Sequence, residues 1–195
     1  MFSFVIHPGK SVATALRFKV DGLVGATLFQ SFPVDLVVDL TMIGVPDVML
    51  PSLPEIDGME RVPYRVYPVG DHIADKVCAM HEFHNRDGDL PVPSSRYRDL
   101  VDLVLIARES VVDAGHVTLA VRSEASRRRL RLPARLAVPQ GDDWRSGYAR
   151  IARAVPQLRE TEFDVAVAIV QAFLNPVLDG TARGRWNPSG LRWES

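Results

Sequence analysis

Several features that would define a class of protein are scarce or absent in this chain of 195 residues. It has one cysteine, Cys78, so no intrachain disulfide can form and a reducing compartment is indicated. No apolar run approaches the ~20 residues that span a bilayer, and no basic, apolar, small-residue leader opens the chain. The sequence therefore predicts a cytoplasmic protein that does not enter a membrane.

Lysine is also scarce, because only Lys10, Lys19 and Lys76 among the 23 basic residues are lysines. A lysine ammonium is a compact point charge that suits a single phosphate oxygen, whereas the planar arginine fork suits bidentate pairing. The net charge of −1 gives no overall nucleic-acid signature. Residues 1–110 carry 10 basic and 15 acidic side chains, whereas residues 111–195 carry 13 and 9, so the second half is predicted to bind any anionic partner.

The residue pattern changes once along the chain. β-Branched and aromatic residues predict strands at 2–6, 16–20, 34–40 and 61–68. From position 71 the apolar residues recur with the helical period. The sequence therefore predicts an α+β fold, with a small mixed or antiparallel sheet over residues 1–68 and a helical region over residues 69–195. After Arg108 the pattern is wholly helical.

The first predicted helix carries the most unusual lysine. One buried stripe is predicted for this helix, formed by Ile73, Val77, Met80 and His84. Asp71 is placed to cap the start of the helix, and Lys76 lies beside the stripe. His81 and His84 could suggest a metal pair, but they lack a third ligand at a recognised interval, and Cys78 fits a small core residue better than a reactive thiol.

The second predicted helix follows a polar loop over residues 85–95. Its apolar face is formed by Leu100, Leu103, Val104 and Ala107. Asp99 and Asp102 are three residues apart and so share a side of the helix. One lysine and two carboxylates are therefore predicted to project from neighbouring helices.

Two carboxylates also lie on one predicted strand. Alternation puts Asp35 and Asp39 on the same face, and burying both without a cation or hydrogen-bond donors is costly. That face is therefore either exposed to solvent or part of a site. The Gly9-Lys10-Ser11 sequence invites comparison with a phosphate-binding loop, but the first glycine and the following helix are missing.

The strongest local charge feature is a run of arginines after position 120. It consists of Arg122, Arg127, Arg128, Arg129, Arg131 and Arg135. One interpretation is a solvated helix end, where arginines complement the helix dipole. The other is a surface, centred on Arg127, Arg128 and Arg129, that binds RNA phosphates or an acidic partner.

Several of these segments together resemble a known family. IADKVCAM and SSRYRDLVDLVLIA resemble the A-E-K and R-x-K-D-x-x-D-L segments of the AbiEii/AbiGii nucleotidyltransferase toxins of type IV toxin–antitoxin systems. FPVDLVVDL is similar to a metal-binding strand of that family, and FLNPVLDG resembles its helical tail. The order and joint occurrence of these segments make the resemblance far more specific than any one of them.

The resemblance implies a function and a site. It implies transfer of a nucleotide from an NTP to a nucleic-acid acceptor such as tRNA, with Mg²⁺ as cofactor and a cognate antitoxin as partner. Lys76 would neutralise phosphate oxygens and Asp99 would orient it or take part in acid–base catalysis. Asp35 and Asp39 would hold the metal ion, and Arg96 and Arg98 would bind phosphate at the start of their helix.

The chain also departs from the family pattern. The G-S…D-x-D motif that precedes the matching segments in the family is absent before Asp35, so the match is expected to begin downstream of it. Without these carboxylates we expect weak transfer or none. The sequence therefore leaves two hypotheses: a nucleotidyltransferase toxin, or a non-catalytic remnant that binds an antitoxin or RNA through its arginine-rich half.

Overall fold

The structure is a computed structural model that describes residues 2–12, 15–38, 41–52, 60–84, 92–93, 96–138 and 141–195. The chain forms two compact units, residues 1–41 and residues 42–195. Strands come first and helices follow, which confirms the predicted α+β fold. The change from strand to helix lies near Pro68, whereas the boundary between the compact units lies at Thr41.

The first unit contains an antiparallel sheet. Its strands are β1 (Phe2–Ile6), β2 (Lys10–Val12), β3 (Ala15–Val24) and β4 (Thr27–Val37). The long strand β3 is central: β1 and β2 pair with its two halves along one edge, and β4 pairs with its whole length along the other. Gly25 makes the β3–β4 turn with a φ of 61°, whereas Gly22 is inside β3. Pairing with β1 and β4 on both sides overrides the turn preference of this glycine.

The two faces of this sheet differ in chemistry. Alternation and register place apolar side chains on one face, formed by Phe4, Ile6, Leu16, Phe18, Val20, Phe32, Val34 and Leu36. Several of these remain well exposed, including Phe4 at 65% and Ile6 at 67%. The opposite face carries Lys19, Asp21 and Asp35. Asp35 therefore lies in a strand, as predicted, and the shared strand face of Asp35 and Asp39 stays a prediction, since Asp39 lies outside the described residues.

The second unit contains the helices described in the structure and several short strands. The helices are α1 (Val69–His81), α2 (Tyr97–Glu109), α3 (Ala114–Arg127), α4 (Asp142–Ala152) and α5 (Phe163–Leu178). The strands pair as β5 (Asp47–Met49) with β6 (Tyr64–Val66), β7 (Phe83–His84) with β8 (Val92–Pro93), and β9 (Arg185–Asn187) with β10 (Arg192–Glu194). None of the helices in the described residues is long and apolar enough to cross a membrane.

The predicted apolar stripes of α1 and α2 form the core of this unit. Ile73 and Val77 are fully buried, as are the four predicted apolar residues of α2. Apolar residues of α5, including Phe173 and Leu174, pack in the same cluster. The stripe of α1 stops at Met80, because the helix ends at His81 and His84 belongs to β7. The prediction for His84 was therefore wrong, since the backbone becomes extended at Glu82.

The end of the chain is also different from its prediction. The sequence predicted a helical region up to residue 195, but Trp186 and Trp193 lie on the paired strands β9 and β10. Trp186 is fully buried, and its Nε1–H donates to the Ala107 carbonyl at 2.7 Å. Trp193 donates to the Phe173 carbonyl at 2.9 Å. Strands of three residues are too short for an alternation pattern to identify them.

The helix starts differ in how they are capped. Asp113 caps α3 by accepting from the backbone N–H of His116. The N-cap residue of α5 is Glu162, and no side-chain cap bond is made there.

Candidate functional site

Lys76 and two carboxylates meet between α1 and α2. The Lys76 Nζ lies 3.4 Å from Asp99 Oδ1 and donates a short hydrogen bond to Asp102. The side chains of Lys76 and Asp99 are only 10% and 5% exposed, whereas that of Asp102 is 33% exposed. The structure therefore brings Lys76 and Asp99 together, with Asp102 at the open side of the cluster.

The helices explain this arrangement. Asp99 and Asp102 are one turn apart on α2, so both carboxylates lie on the side of α2 that faces α1. A buried ammonium needs partners that replace its water, and the two carboxylates provide them. The Arg96 Nε lies 2.5 Å from Asp99 Oδ2, so Asp99 is held from two sides. Arg98, two residues after Arg96, is exposed.

His72 stands at the rim of this cluster. It lies one turn before Lys76 on α1 and is exposed, with its ring 6.2 Å from that of Tyr67 in an edge-to-face arrangement. Partial burial and then the positive charge of Lys76 lower the pKa of His72, so its imidazole is neutral at pH 7. His72 was not predicted to belong to this site, although its spacing of four residues from Lys76 is a sequence signal that could have indicated it.

Asp71 has a different role from the predicted cap. It lies within the first turn of α1, and Pro68 occupies the N-cap position. The Asp71 carboxylate accepts hydrogen bonds from the backbone N–H groups of Ile43 and Gly44, at 2.7 and 2.8 Å. The prediction of a cap was therefore wrong, because the helix begins two residues earlier and the side chain binds a neighbouring loop instead.

A second ionic cluster lies between α1 and α3. The guanidinium of Arg128 donates to Glu124, to Asp75 at 3.0 Å and to Glu82 at 3.1 Å. Arg127 also donates to Glu124, at 2.7 Å through its Nε. The Arg128 side chain is 18% exposed and that of Glu124 is 9% exposed. Arg128 therefore joins α3 to α1 and to the residue that follows α1.

The two acids on either side of this interface have opposite pKa shifts. Burial works against ionisation of Glu124, yet the hydrogen bonds from Arg127 and Arg128 lower its pKa to about 2. Burial, and then the hydrogen bond to Glu124, raise the pKa of Asp75. The pair therefore favours an ionised Glu124 beside an Asp75 that holds its proton more tightly than usual.

The arginines predicted to bind an anionic partner are consequently divided. Arg128 points into the protein, Arg127 is 42% exposed and shares Glu124, and Arg129 is exposed just after α3. The spacing of Arg128 four residues after Glu124 is a sequence signal for this pairing. An RNA or partner contact by Arg127 and Arg129 stays a prediction, whereas Arg128 already has its full set of partners.

The predicted metal ligands lie in the first unit. Asp35 on β4 forms a bidentate ion pair with Arg17, with N–O distances of 2.6 and 2.7 Å. This pair is exposed. The pKa of Asp35 is lowered, mainly because its carboxylate accepts hydrogen bonds from Arg17. Asp39 lies outside the described residues. No group of three or more His, Cys, Asp or Glu side chains that could hold a metal ion occurs in the described residues.

The other reactive side chains fit structural roles. Cys78 is buried, and burial raises the pKa of its thiol to about 12, so the thiolate is not available near neutral pH. His81 is hydrogen-bonded through Nδ1 to the Val77 carbonyl at 2.8 Å. The side chain of His84 lies outside the described part of the structure.

Comparison with known proteins gives one clear relationship. Residues 4–169 match the family described as "Nucleotidyl transferase AbiEii toxin, Type IV TA system". The match covers the sheet except for the first two residues of β1, both helices of the Lys76 cluster and the first 7 of the 16 residues of α5. A comparison with curated protein sequences found no match.

Proposed function

Since the chain belongs to the AbiEii family of nucleotidyl transferase toxins of type IV toxin–antitoxin systems, we propose that it transfers a nucleotide from an NTP to a nucleic-acid acceptor such as tRNA. The observation that carries this proposal is the meeting of Lys76, Asp99 and Asp102 between two helices. Family membership also implies an antitoxin partner.

The different exposure of the two carboxylates supports different roles. Asp99 is almost fully buried and is held by Arg96, so it keeps the Lys76 ammonium in place. Asp102 is one third exposed, so a triphosphate oxygen can take its place beside Lys76. Asp102 is then free to accept a proton from the attacking hydroxyl. Arg98, exposed in the first turn of α2, is a further candidate to bind phosphate.

Nucleotidyltransferases of this kind usually use a divalent metal ion. Such an ion, when bound, neutralises charge on the transferring phosphoryl group. The described residues do not fit a magnesium site, because Asp35 is held by Arg17 and no second carboxylate joins it there. Magnesium, with Asp35 and Asp39 as ligands, is therefore only the expectation from the family, and no step is assigned to it.

The proposal is tested by incubating the full chain with tRNA, a divalent metal ion and each labelled NTP in turn. We expect weak incorporation into tRNA, in keeping with the absence of the G-S…D-x-D motif before Asp35. Lys76→Ala should remove this incorporation, and Lys10→Ala, a matched change of an exposed lysine, should leave it intact. Both variants must first show an unchanged circular dichroism spectrum. Incorporation equal in the wild type and Lys76→Ala would contradict the role of Lys76. No incorporation with any nucleotide would favour a protein that binds without transfer.

A further inference from the structure

A basic groove runs along the outside of α3. One wall is α3 itself, and the other is the end of α5 with the segment that follows it. Two depressions of about 420 and 390 Å³ lie on this line and share Thr118 and Arg122, so they are one continuous groove. Its length along α3 is roughly 20 Å at 1.5 Å per residue.

Three arginines are spaced along this groove. Arg183 lines one end, Arg122 lies where the two depressions meet, and Arg131 lines the other end. All three side chains belong to exposed residues. The described residues that line the groove include no acidic side chain. The groove therefore presents a row of positive charge over an apolar floor that includes Val121 and Val177.

The nearest acids in sequence are turned to other partners. Glu124 faces α1 and binds Arg127 and Arg128. Asp179 accepts hydrogen bonds from the N–H and hydroxyl of Thr181, at 2.9 and 2.6 Å. Both carboxylates therefore make their hydrogen bonds to groups other than the three groove arginines.

The end of α3 explains how Arg131 reaches the groove. The backbone N–H of Leu130 donates to the Ala125 carbonyl, and that of Arg129 donates to the Ser126 carbonyl. These two hydrogen bonds form a Schellman motif at the C-terminus of α3. Arg129 takes the left-handed position, with a φ of 56°. This turn directs the chain back beside α5, where Leu132 and Arg131 line the groove.

We propose that this groove binds single-stranded RNA through its phosphates. The inference rests on the proposed function, since a nucleic-acid acceptor needs a docking surface besides the Lys76 cluster. An arginine guanidinium forms two parallel hydrogen bonds to the oxygens of one phosphate, and a hydroxyl such as that of Thr118 can add a further hydrogen bond. A positively charged groove that follows the phosphate backbone is the electrostatic component of single-strand binding sites.

The test measures binding of a short, fluorescein-labelled, single-stranded oligoribonucleotide by anisotropy, without NTP, over a range of salt concentrations. The variant is Arg122→Ser with Arg131→Ser. The matched control is Arg150→Ser with Arg153→Ser, which removes the same charge from exposed positions on and just after α4. We expect the groove variant to bind roughly tenfold more weakly, with a salt slope smaller by about 1.4, and the control to bind as the wild type.

Three outcomes would overturn the inference. The groove variant could bind as tightly as the wild type, or both double variants could lose affinity equally, which would indicate only net charge. Poly-L-glutamate could compete with the RNA in the wild type at equal concentration of charge, which would indicate an acidic protein partner. Lys76→Ala separates this test from the proposed function, since it is expected to bind RNA normally while losing transfer.

Discussion

Two ionic clusters lie on neighbouring sides of α1, and they differ in how their cations are held. Asp75 and Lys76 are consecutive residues, yet Asp75 contacts Arg128 of the α3 cluster while Lys76 contacts Asp99 and Asp102 of α2. Arg128 binds three carboxylates, all less than one third exposed. Lys76 binds one buried carboxylate and one at the open side. The first arrangement suits stability, and the second leaves room for exchange of a partner.

The largest effect is expected from breaking the Arg128 cluster. Arg128→Met leaves Asp75 and Glu82 without this cation and Glu124 with Arg127 alone, and removal of one partner from a buried ion pair costs about 3–5 kcal/mol. The free energy of unfolding in urea measures this loss. The control is Arg127→Met, which removes an adjacent arginine of the same cluster and should cost much less. Equal losses in the two variants would contradict the special position of Arg128.

A smaller loss of stability is expected from Lys76→Met. Asp99 keeps Arg96, and Asp102 can be solvated, so we expect a decrease of only about 1–2 kcal/mol in the free energy of unfolding. The same urea experiment gives this value. A loss as large as that of Arg128→Met would mean that the two clusters do not differ in the way proposed.

The pH dependence of stability sharpens the comparison further. The folded-state pKa of Glu124 is about 2 against an ordinary value of 4.5, so its stabilising contribution is complete above pH 4.5 and is lost as the pH falls towards 2. In Glu124→Gln we expect stability to change less between pH 4.5 and pH 2 than in the wild type. Acid unfolding followed by circular dichroism measures this difference. Parallel profiles for the two proteins would show that Glu124 is not the group responsible.

Asp75 has the opposite sign. Its folded-state pKa is raised above the ordinary 3.8, so its contribution is complete below that pH and is lost as the pH rises through the folded-state value. Because the folded protein disfavours the ionised form of Asp75, Asp75→Asn should cost little stability near pH 7 although the side chain contacts Arg128. A large loss near pH 7 would contradict the raised pKa of Asp75.

The smallest effect is expected in the sheet. The pair of Arg17 and Asp35 is bidentate but exposed, and exposed ion pairs contribute little. Arg17→Ser should leave the thermal unfolding midpoint of the full chain unchanged within error. A clear decrease in the midpoint would show that this pair is protected from solvent in the full chain.

The sequence predicts the Lys76 cluster well and the Arg128 cluster poorly, for a physical reason. Helical spacing places Asp99 and Asp102 on one side of α2, and such spacing is local. Arg128 and Asp75 are far apart in the chain, so only the packing of α3 on α1 brings them together. The predicted strand–helix order was right because it depends on residue periodicity, which is also local.

The errors have the same origin. Asp71 occupies a position that suits a helix cap, but a contact with the loop at Ile43 and Gly44 decides its role. The tryptophans of the last strands are held by contacts with Ala107 and Phe173, which no spacing rule reveals. The groove arginines likewise come from two separate stretches of the chain. Arg122 and Arg131 belong to one and Arg183 to the other, and only the fold brings them together.

The closure of the core by Trp186 also has a consequence for the timing of folding. Its indole binds the Ala107 carbonyl, a contact across 79 residues, and its backbone N–H binds the Val112 carbonyl at 2.9 Å. A ribosome adds roughly 5–20 residues per second, so α2 is synthesised roughly 4–15 seconds before this tryptophan, whereas α5 precedes it by only about 1 second. Over the longer interval the face of α2 that Trp186 covers remains open to water or to a chaperone. The contact of Trp186 with Ala107 therefore forms only after both helices have been synthesised.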